Sequence, residues 1–315
     1  MKKIVVIGGG TGLSTLLRSI RDYPIDIAAV VTMADDGKST GQLRRDFEML
    51  PPGDIRKCIA ALSDKEDLLL DLFQYRFKKG VGLKGHSMGN LLISAAQDIY
   101  GNFELATEGI CKILSIKGRV IPSTLQQVCL NAKFDNGKRV KGESKITKYG
   151  YNHKIENIYF SQKKAKANNK ALEAIDKADY IFVGPGSLFT SIIPNFLLSD
   201  ILRHYKKSKA VKTYVCNVST ERGETDEFTL NNHLEVLTSY GLDFDIILAN
   251  NKNFRSGHGD GYIKQVIIDQ NTESLFSSRL VAKDLINNKN PLYHEIDKIG
   301  KEIWAIILKY KKSRL

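Results

Sequence analysis

The chain has 315 residues, 42% of them hydrophobic and 26% charged, which is the balance of a globular protein with a large core and excludes a disordered or fibrous chain. No apolar run approaches the ~18 residues of a membrane span, so no membrane insertion is expected. The formal net charge of +12 comes from lysines scattered in solvated runs such as Lys206-Lys207-Ser208-Lys209; no RNP-like or zinc-finger pattern accompanies it, so nucleic acid is not an expected partner.

Lys3-Ile4-Val5-Val6-Ile7 predicts a first strand. It runs into Gly8-Gly9-Gly10-Thr11-Gly12, and an amphipathic stretch over residues 13–20 predicts a helix after it. Glycines let the backbone approach a ligand, and a helix start offers unpaired N–H groups and partial positive charge. The arrangement predicts a phosphate cradle. The apolar run after Lys2-Lys3 is only about five residues long, so it reads as a strand and not a signal peptide, with the cytoplasm as the expected compartment.

Residues 27–31 predict a second strand, and residues 55–62, 68–77, 91–99 and 105–114 predict helices. The texture then changes. Residues 118–160 read as a small antiparallel insert with a hairpin at Asp135-Asn136-Gly137. Alternation returns with a helix over 171–178, a strand over 180–183, a helix over 192–204 and a strand over 213–216. A helix over 233–240, a strand over 246–248 and a C-terminal helix within 293–312, containing Trp304, complete the order. The pattern predicts one α/β domain over residues 1–315, Rossmann-like and doubly wound, with a mainly parallel sheet. The four cysteines, Cys58, Cys111, Cys129 and Cys216, lie far apart and read as reduced thiols.

In such a sheet ligands sit beyond the carboxyl ends of the strands. The residues found there are Gly8 to Gly12, then Thr32-Met33-Ala34-Asp35-Asp36-Gly37, Gly184-Pro185-Gly186-Ser187, Asn217 to Thr220, and Asn250-Asn251. Core packing does not require five polar or small-residue ends. The dinucleotide fingerprint needs a glycine at position 13, where Leu13 stands, and no His or Tyr is placed as a hydride-transfer acid. Gly37-Lys38-Ser39 resembles the end of a P-loop, but Thr32 replaces its leading glycine. Gly85-His86-Ser87-Met88-Gly89 fits a nucleophile elbow, yet a polar, glycine-rich stretch precedes it instead of a strand. The alternative makes Ser87 a helix N-cap, with His86 and Asn90 facing a ligand.

Asp35 and Asp36 are the best acidic pair for catalysis and for Mg²⁺, which would hold phosphate oxygens; a plain turn is the alternative. Asp54 serves a ligand or caps a helix, and Arg56 is a phosphate fork or a surface charge. Gly184, Gly186 and Ser187 form a second anion cradle or an ordinary strand-to-helix turn.

These blocks together resemble the gluconeogenesis factor (YvcK-like) family, relatives of 2-phospho-L-lactate transferase. The resemblance rests on Gly8 to Ser14, Ala34 to Gly37, Pro52 to Arg56, Gly85 to Asn90, Gly184 to Asn195, and Asn217 to Asp226, in order along nearly the whole chain. It implies a Rossmann-like fold, a nucleotide or UDP-sugar ligand, and a regulatory role in carbon metabolism, cell shape and cell-wall precursor supply. In the transferase relatives it implies Mg²⁺-dependent transfer of a phosphorus-containing group. Those relatives carry an Asp-x-Asp block where this chain has Gly53-Asp54-Ile55-Arg56. Lys38 and Glu221 are smaller departures.

The residues expected to bind the ligand are thus Gly9, Gly10, Thr11, Gly12, Asp54, Arg56, His86, Ser87, Asn90, Gly184, Gly186, Ser187, Asn217 and Thr220. Two classes of function follow: a nucleotide-sugar-binding regulator, or a Mg²⁺-dependent phosphotransferase. Homo-oligomers are common in such folds, and a regulator implies a protein partner.

Overall fold

The computed structural model describes residues 1–64, 68–162, 164–253 and 263–310. The first half runs β1 (Lys2–Gly8), α1 (Gly10–Ile20), β2 (Ile25–Val31), α2 (Lys38–Asp46), α3 (Pro52–Leu62), α4 (Leu68–Gln74), α5 (Met88–Tyr100), α6 (Phe103–Ile113) and β3 (Arg119–Pro122). The insert follows as β4 (Leu130–Phe134), β5 (Arg139–Lys141), α7 (Glu143–Gly150) and β6 (Ile155–Phe160). The second half runs α8 (Asn169–Asp176), β7 (Tyr180–Val183), a π-helical turn (Leu188–Ile192), α9 (Ile193–Phe196), α10 (Ser199–Lys207), β8 (Val211–Val215) and α11 (Leu230–Ser239). It ends with β9 (Ile246–Asn250), α12 (Gln270–Phe276), β10 (Leu280–Lys283) and α13 (Ile296–Lys309). Residues 311 and 312 of the expected C-terminal helix lie outside the described residues.

A seven-stranded sheet has the order β10-β9-β8-β7-β1-β2-β3, parallel at every pairing. The expected doubly wound fold is therefore present. Its central strands are buried on both faces, which is why Ile4 to Ile7 and Ala28 to Val31 read as continuous apolar runs. Leu13, Leu16, Leu17 and Ile20 recur on one face of α1 and bury it on the sheet. α13 packs on α1, with Trp304 stacked on Tyr23 at 5.0 Å between ring centroids. Among the described residues no helix is long and apolar enough to cross a membrane.

Three sequence readings are corrected. Arg119–Pro122 does not start the antiparallel insert; it pairs parallel with β2, at the edge of the main sheet. The antiparallel sheet is β5-β4-β6, and its hairpin turns at Gly137, whose φ is +78°. The helix expected over 192–204 is broken into the π-helical turn, α9 and α10, with Pro194 near the start of α9. The helix expected over 68–77 ends at Gln74, because residues 75–77 pair back onto residues 86–88.

Each of α2 and α7 offers little apolar periodicity, so the sequence pattern does not predict them. Leu43 is the only large apolar residue in α2, and Ile146 the only large apolar residue buried in α7.

Candidate functional site

The sheet order reverses at its centre: β2 lies on one side of β1 and β7 on the other. The loops that follow these strands diverge and leave a crevice at the carboxyl edge, the position where doubly wound folds place ligands. Here that crevice is a cavity of about 410 Å³. It gathers Gly10, Thr11, Gly12, Asp35, Asp54, Gly186, Ser187, Asn217 and Thr220 from five separate chain segments.

The two glycine loops touch. A Cβ on Gly12 would lie 2.6 Å from Pro185 O and 2.8 Å from Gly186 N, so only glycine allows this approach. Asn217 fixes the second loop, accepting from Gly186 N at 2.9 Å and donating to Gly186 O at 3.0 Å. Gly10, at φ +65°, opens α1 and turns its N–H toward Asp54 Oδ2 at 2.7 Å. Thr220 borders the cavity while its hydroxyl accepts from Lys264 N at 2.9 Å.

The acidic pair is split. Asp35 faces the cavity and accepts from Gly37 N and Thr40 Oγ1, both at 2.8 Å. Burial, then the charge of Asp54, raises its carboxyl above the ordinary range. Asp36 does not border the cavity. Its Oδ1 accepts from Ser144 N at 2.9 Å and Ser144 Oγ at 2.8 Å, so it caps the first turn of α7.

Asp54 and Arg56 start α3 on different sides. Asp54 pairs with Lys57 at 2.9 Å and points into the cavity. Arg56 Nε donates to Asn90 Oδ1 at 3.1 Å, outside the cavity lining. Ser87 caps α5, with Asn90 N on its hydroxyl at 3.3 Å, as the N-cap reading expected. His86 lies 3.1 Å from Ser39 Oγ through Nδ1 and 3.1 Å from Gln42 Oε1 through Nε2. His86, Ser87, Asn90 and Arg56 thus form a buried polar layer that braces α2 behind Asp35. Gly9 and Gly184 also support the loops without bordering the cavity.

Sequence reasoning missed several cavity residues. Lys57 follows Asp54 by three positions on α3, a spacing that could have revealed it. Burial alone would lower its ammonium pKa, but the charge and hydrogen bond of Asp54 prevail and raise it. Glu143 enters from the unread α7, and its carboxyl is pushed well above the ordinary range by burial and then by Asp35 and Asp54. Glu221 and Arg222 border the cavity as well. Behind them Glu224 accepts from Thr190 Oγ1 at 2.7 Å, Phe189 N at 3.2 Å and Thr147 Oγ1 at 3.3 Å. Burial and the neighbouring Glu221 lift its pKa to about 8.

The site therefore offers backbone N–H groups beside four carboxyl groups, Asp35, Asp54, Glu143 and Glu221, with Lys57 and Arg222 as cations. It can bind phosphate oxygens, and a hard cation through carboxylate oxygen.

A family model described as 2-phospho-L-lactate transferase CofD matches residues 4–309. A Bacillus subtilis protein named gluconeogenesis factor is 44% identical over 253 residues, covering 80% of this chain and 79% of its own. A Nostoc sp. relative, provisionally given the same name, is 46% identical over 291 residues. That match covers 90% of this chain but 63% of the relative, so the chain spans less than two thirds of that protein. The crystal structure of protein BH3568 from Bacillus halodurans is similar at a TM-score of 0.91 and 38% identity, covering 96% of this chain and 99% of that one.

Proposed function

The chain belongs to the 2-phospho-L-lactate transferase CofD family, and on that premise we propose that it is a nucleotide-sugar-binding regulator of carbon metabolism. The UDP-sugar class, the regulation of cell shape and cell-wall precursor supply, and a cytoplasmic location come from the resemblance to gluconeogenesis factors. The observation that carries the reading is the meeting of two glycine loops at the switch point, with the α1 N-terminus aimed into the cavity. A diphosphate between them would accept N–H groups from both sides.

Carboxylates repel a diphosphate, so the ligand needs a divalent cation. Among the described residues no three His, Cys, Asp or Glu side chains form a metal-holding group by themselves. Mg²⁺ does not require one, because it takes one or two carboxylates and fills its shell with water and phosphate oxygens. Asp35 and Asp54 fit this role: both are oxygen donors at the cavity, and Asp35 feels the Asp54 charge. When bound, the ion would neutralise phosphate charge.

Thermal-shift titration with UDP-glucose and UDP-N-acetylglucosamine, with and without Mg²⁺, tests the reading. A ligand at ~100 times its Kd adds about 2.7 kcal/mol of stability. No shift with any nucleotide or nucleotide-sugar sinks it. The family name and the same carboxylates favour a second reading, Mg²⁺-dependent transfer of a phosphorus-containing group. Turnover of a nucleotide donor that Asp35→Asn abolishes while binding persists supports the transferase. A ligand that binds and is never turned over supports the regulator.

A further inference from the structure

A second cavity, about 640 Å³, opens at the amino ends of β1, β2 and β3, at the opposite edge of the sheet from the glycine loops. Its floor is one face of the sheet. Val5 pairs with Ala28 and Ala28 with Arg119, so these three side chains project the same way. Lys3, Asp26 and Ile121 lie two residues along their strands and share that face. α6 and α8 supply the walls, with Cys111 on one and Ala174 on the other.

The hollow exists because the side chains facing it are small. Ala28 sits on the floor beside Val5, and Ala174 turns inward from α8. Alanine at both places leaves wall atoms without contact partners, which a ligand would restore. The volume falls within the roughly 300–1,000 Å³ of small-molecule sites.

The rim is charged unevenly. Arg119 pairs with Asp26, Lys170 with both Glu104 and Glu108, and Lys177 with Glu173. Lys3 and Lys112 also border the cavity, and among the described residues neither ammonium has a carboxylate partner. Two cations without a carboxylate partner, beside the apolar part of the floor made by Val5, Ala28 and Ile121, complement one kind of molecule: an apolar body with an anionic head. Lysine stems can lie along the apolar wall while their ammonium groups hold that head.

We infer that this cavity binds an amphipathic organic anion, a carboxylate or a phosphate on an apolar chain, at a site separate from the glycine-loop crevice. The inference does not depend on what the crevice binds. Calorimetric titration of the full chain with decanoate, decyl phosphate and decylammonium tests it, and the first two probes distinguish the head groups. At least one of the anions binds, and decylammonium does not. Ala28→Leu fills the floor and weakens that binding at least tenfold. Lys112→Glu reverses an exposed rim charge without touching the core and weakens it to a similar degree, so the test holds even where Ala28→Leu fails to fold. Binding unchanged in Lys112→Glu, decylammonium binding as tightly as the anions, or no binding of either anion overturns the inference.

Discussion

Asp54 Oδ2 accepts the Gly10 N–H at 2.7 Å, so a carboxylate stands where the α1 N-terminus would receive a phosphate oxygen. The same side chain raises the Asp35 carboxyl and pairs with Lys57. Asp54→Asn keeps an oxygen for Gly10 and removes the charge. The Asp35 carboxyl then titrates lower, which carboxyl-carbon NMR can follow. Affinity for UDP-sugar without Mg²⁺ rises, and the gain from adding Mg²⁺ falls by about tenfold, roughly 1.4 kcal/mol. Thermal shifts with and without the ion measure both changes. An unchanged Mg²⁺ dependence would falsify the role given to Asp54.

Gly12→Ala places a Cβ against Pro185 O and Gly186 N, both backbone atoms that cannot rotate away. Overpacking of this kind costs about 1–3 kcal/mol. The strain falls at the contact between the two cradles, so ligand affinity drops together with stability. Urea unfolding and the UDP-sugar titration check the two effects separately. A variant with normal stability and normal binding shows that the loops need not touch.

Strand ends were the part of the site most legible in the sequence. Gly10, Gly186 and Asn217 could be picked because apolar runs locate the strands, and a parallel sheet then locates its ligands. What could not be read was which way a side chain turns. Asp35 and Asp36 are adjacent and chemically alike, yet one faces the cavity and the other caps a helix 108 positions away. The sequence signal for α7 is weak, so neither that cap nor Glu143 could be foreseen. His86 and Arg56 stand beside glycines in short polar blocks, a pattern that places them with the ligand. Tertiary packing put them behind α2 instead. In the fold, the error at Arg119–Pro122 has the same origin: a four-residue strand on the sheet edge carries no sign of whether its neighbour runs parallel or antiparallel.

Asp36 and Asp35 should therefore separate by mutation. Asp36→Ala frees Ser144 N and loosens the start of α7, a loss of about 1 kcal/mol for a helix cap. Ligand binding keeps its response to Mg²⁺. Asp35→Asn has the opposite profile, with the Mg²⁺ response lost. Chemical denaturation paired with Mg²⁺-dependent thermal shifts distinguishes them. A lost Mg²⁺ response in Asp36→Ala, with α7 intact by amide exchange, would return Asp36 to the metal site.

Glu224 gives the fold a pH dependence with a defined sign. Its carboxyl is lifted to about 8 in the folded chain from an ordinary value of 4.5, by burial and then by Glu221. Between those values the folded state holds a proton that the unfolded state has released. Stability therefore falls as pH rises through this window, and the loss is complete above the folded value. His233 and His294 act in the opposite direction on the acid side. Burial lowers both to about 4 from 6.5, so they destabilise the fold as pH drops through that range. Glu224→Gln isolates the carboxyl. The amide oxygen can accept from Phe189 N, and its NH₂ can donate to the hydroxyls of Thr190 and Thr147, where the protonated acid has one O–H to donate. Between about pH 4.5 and 8 the wild-type melting temperature falls relative to that of the variant as pH rises, above that window the two curves run parallel, and both keep the histidine-driven decline in acid. Parallel curves for the two proteins across the window from about pH 4.5 to 8 would mean that Glu224 is ionised in the folded state.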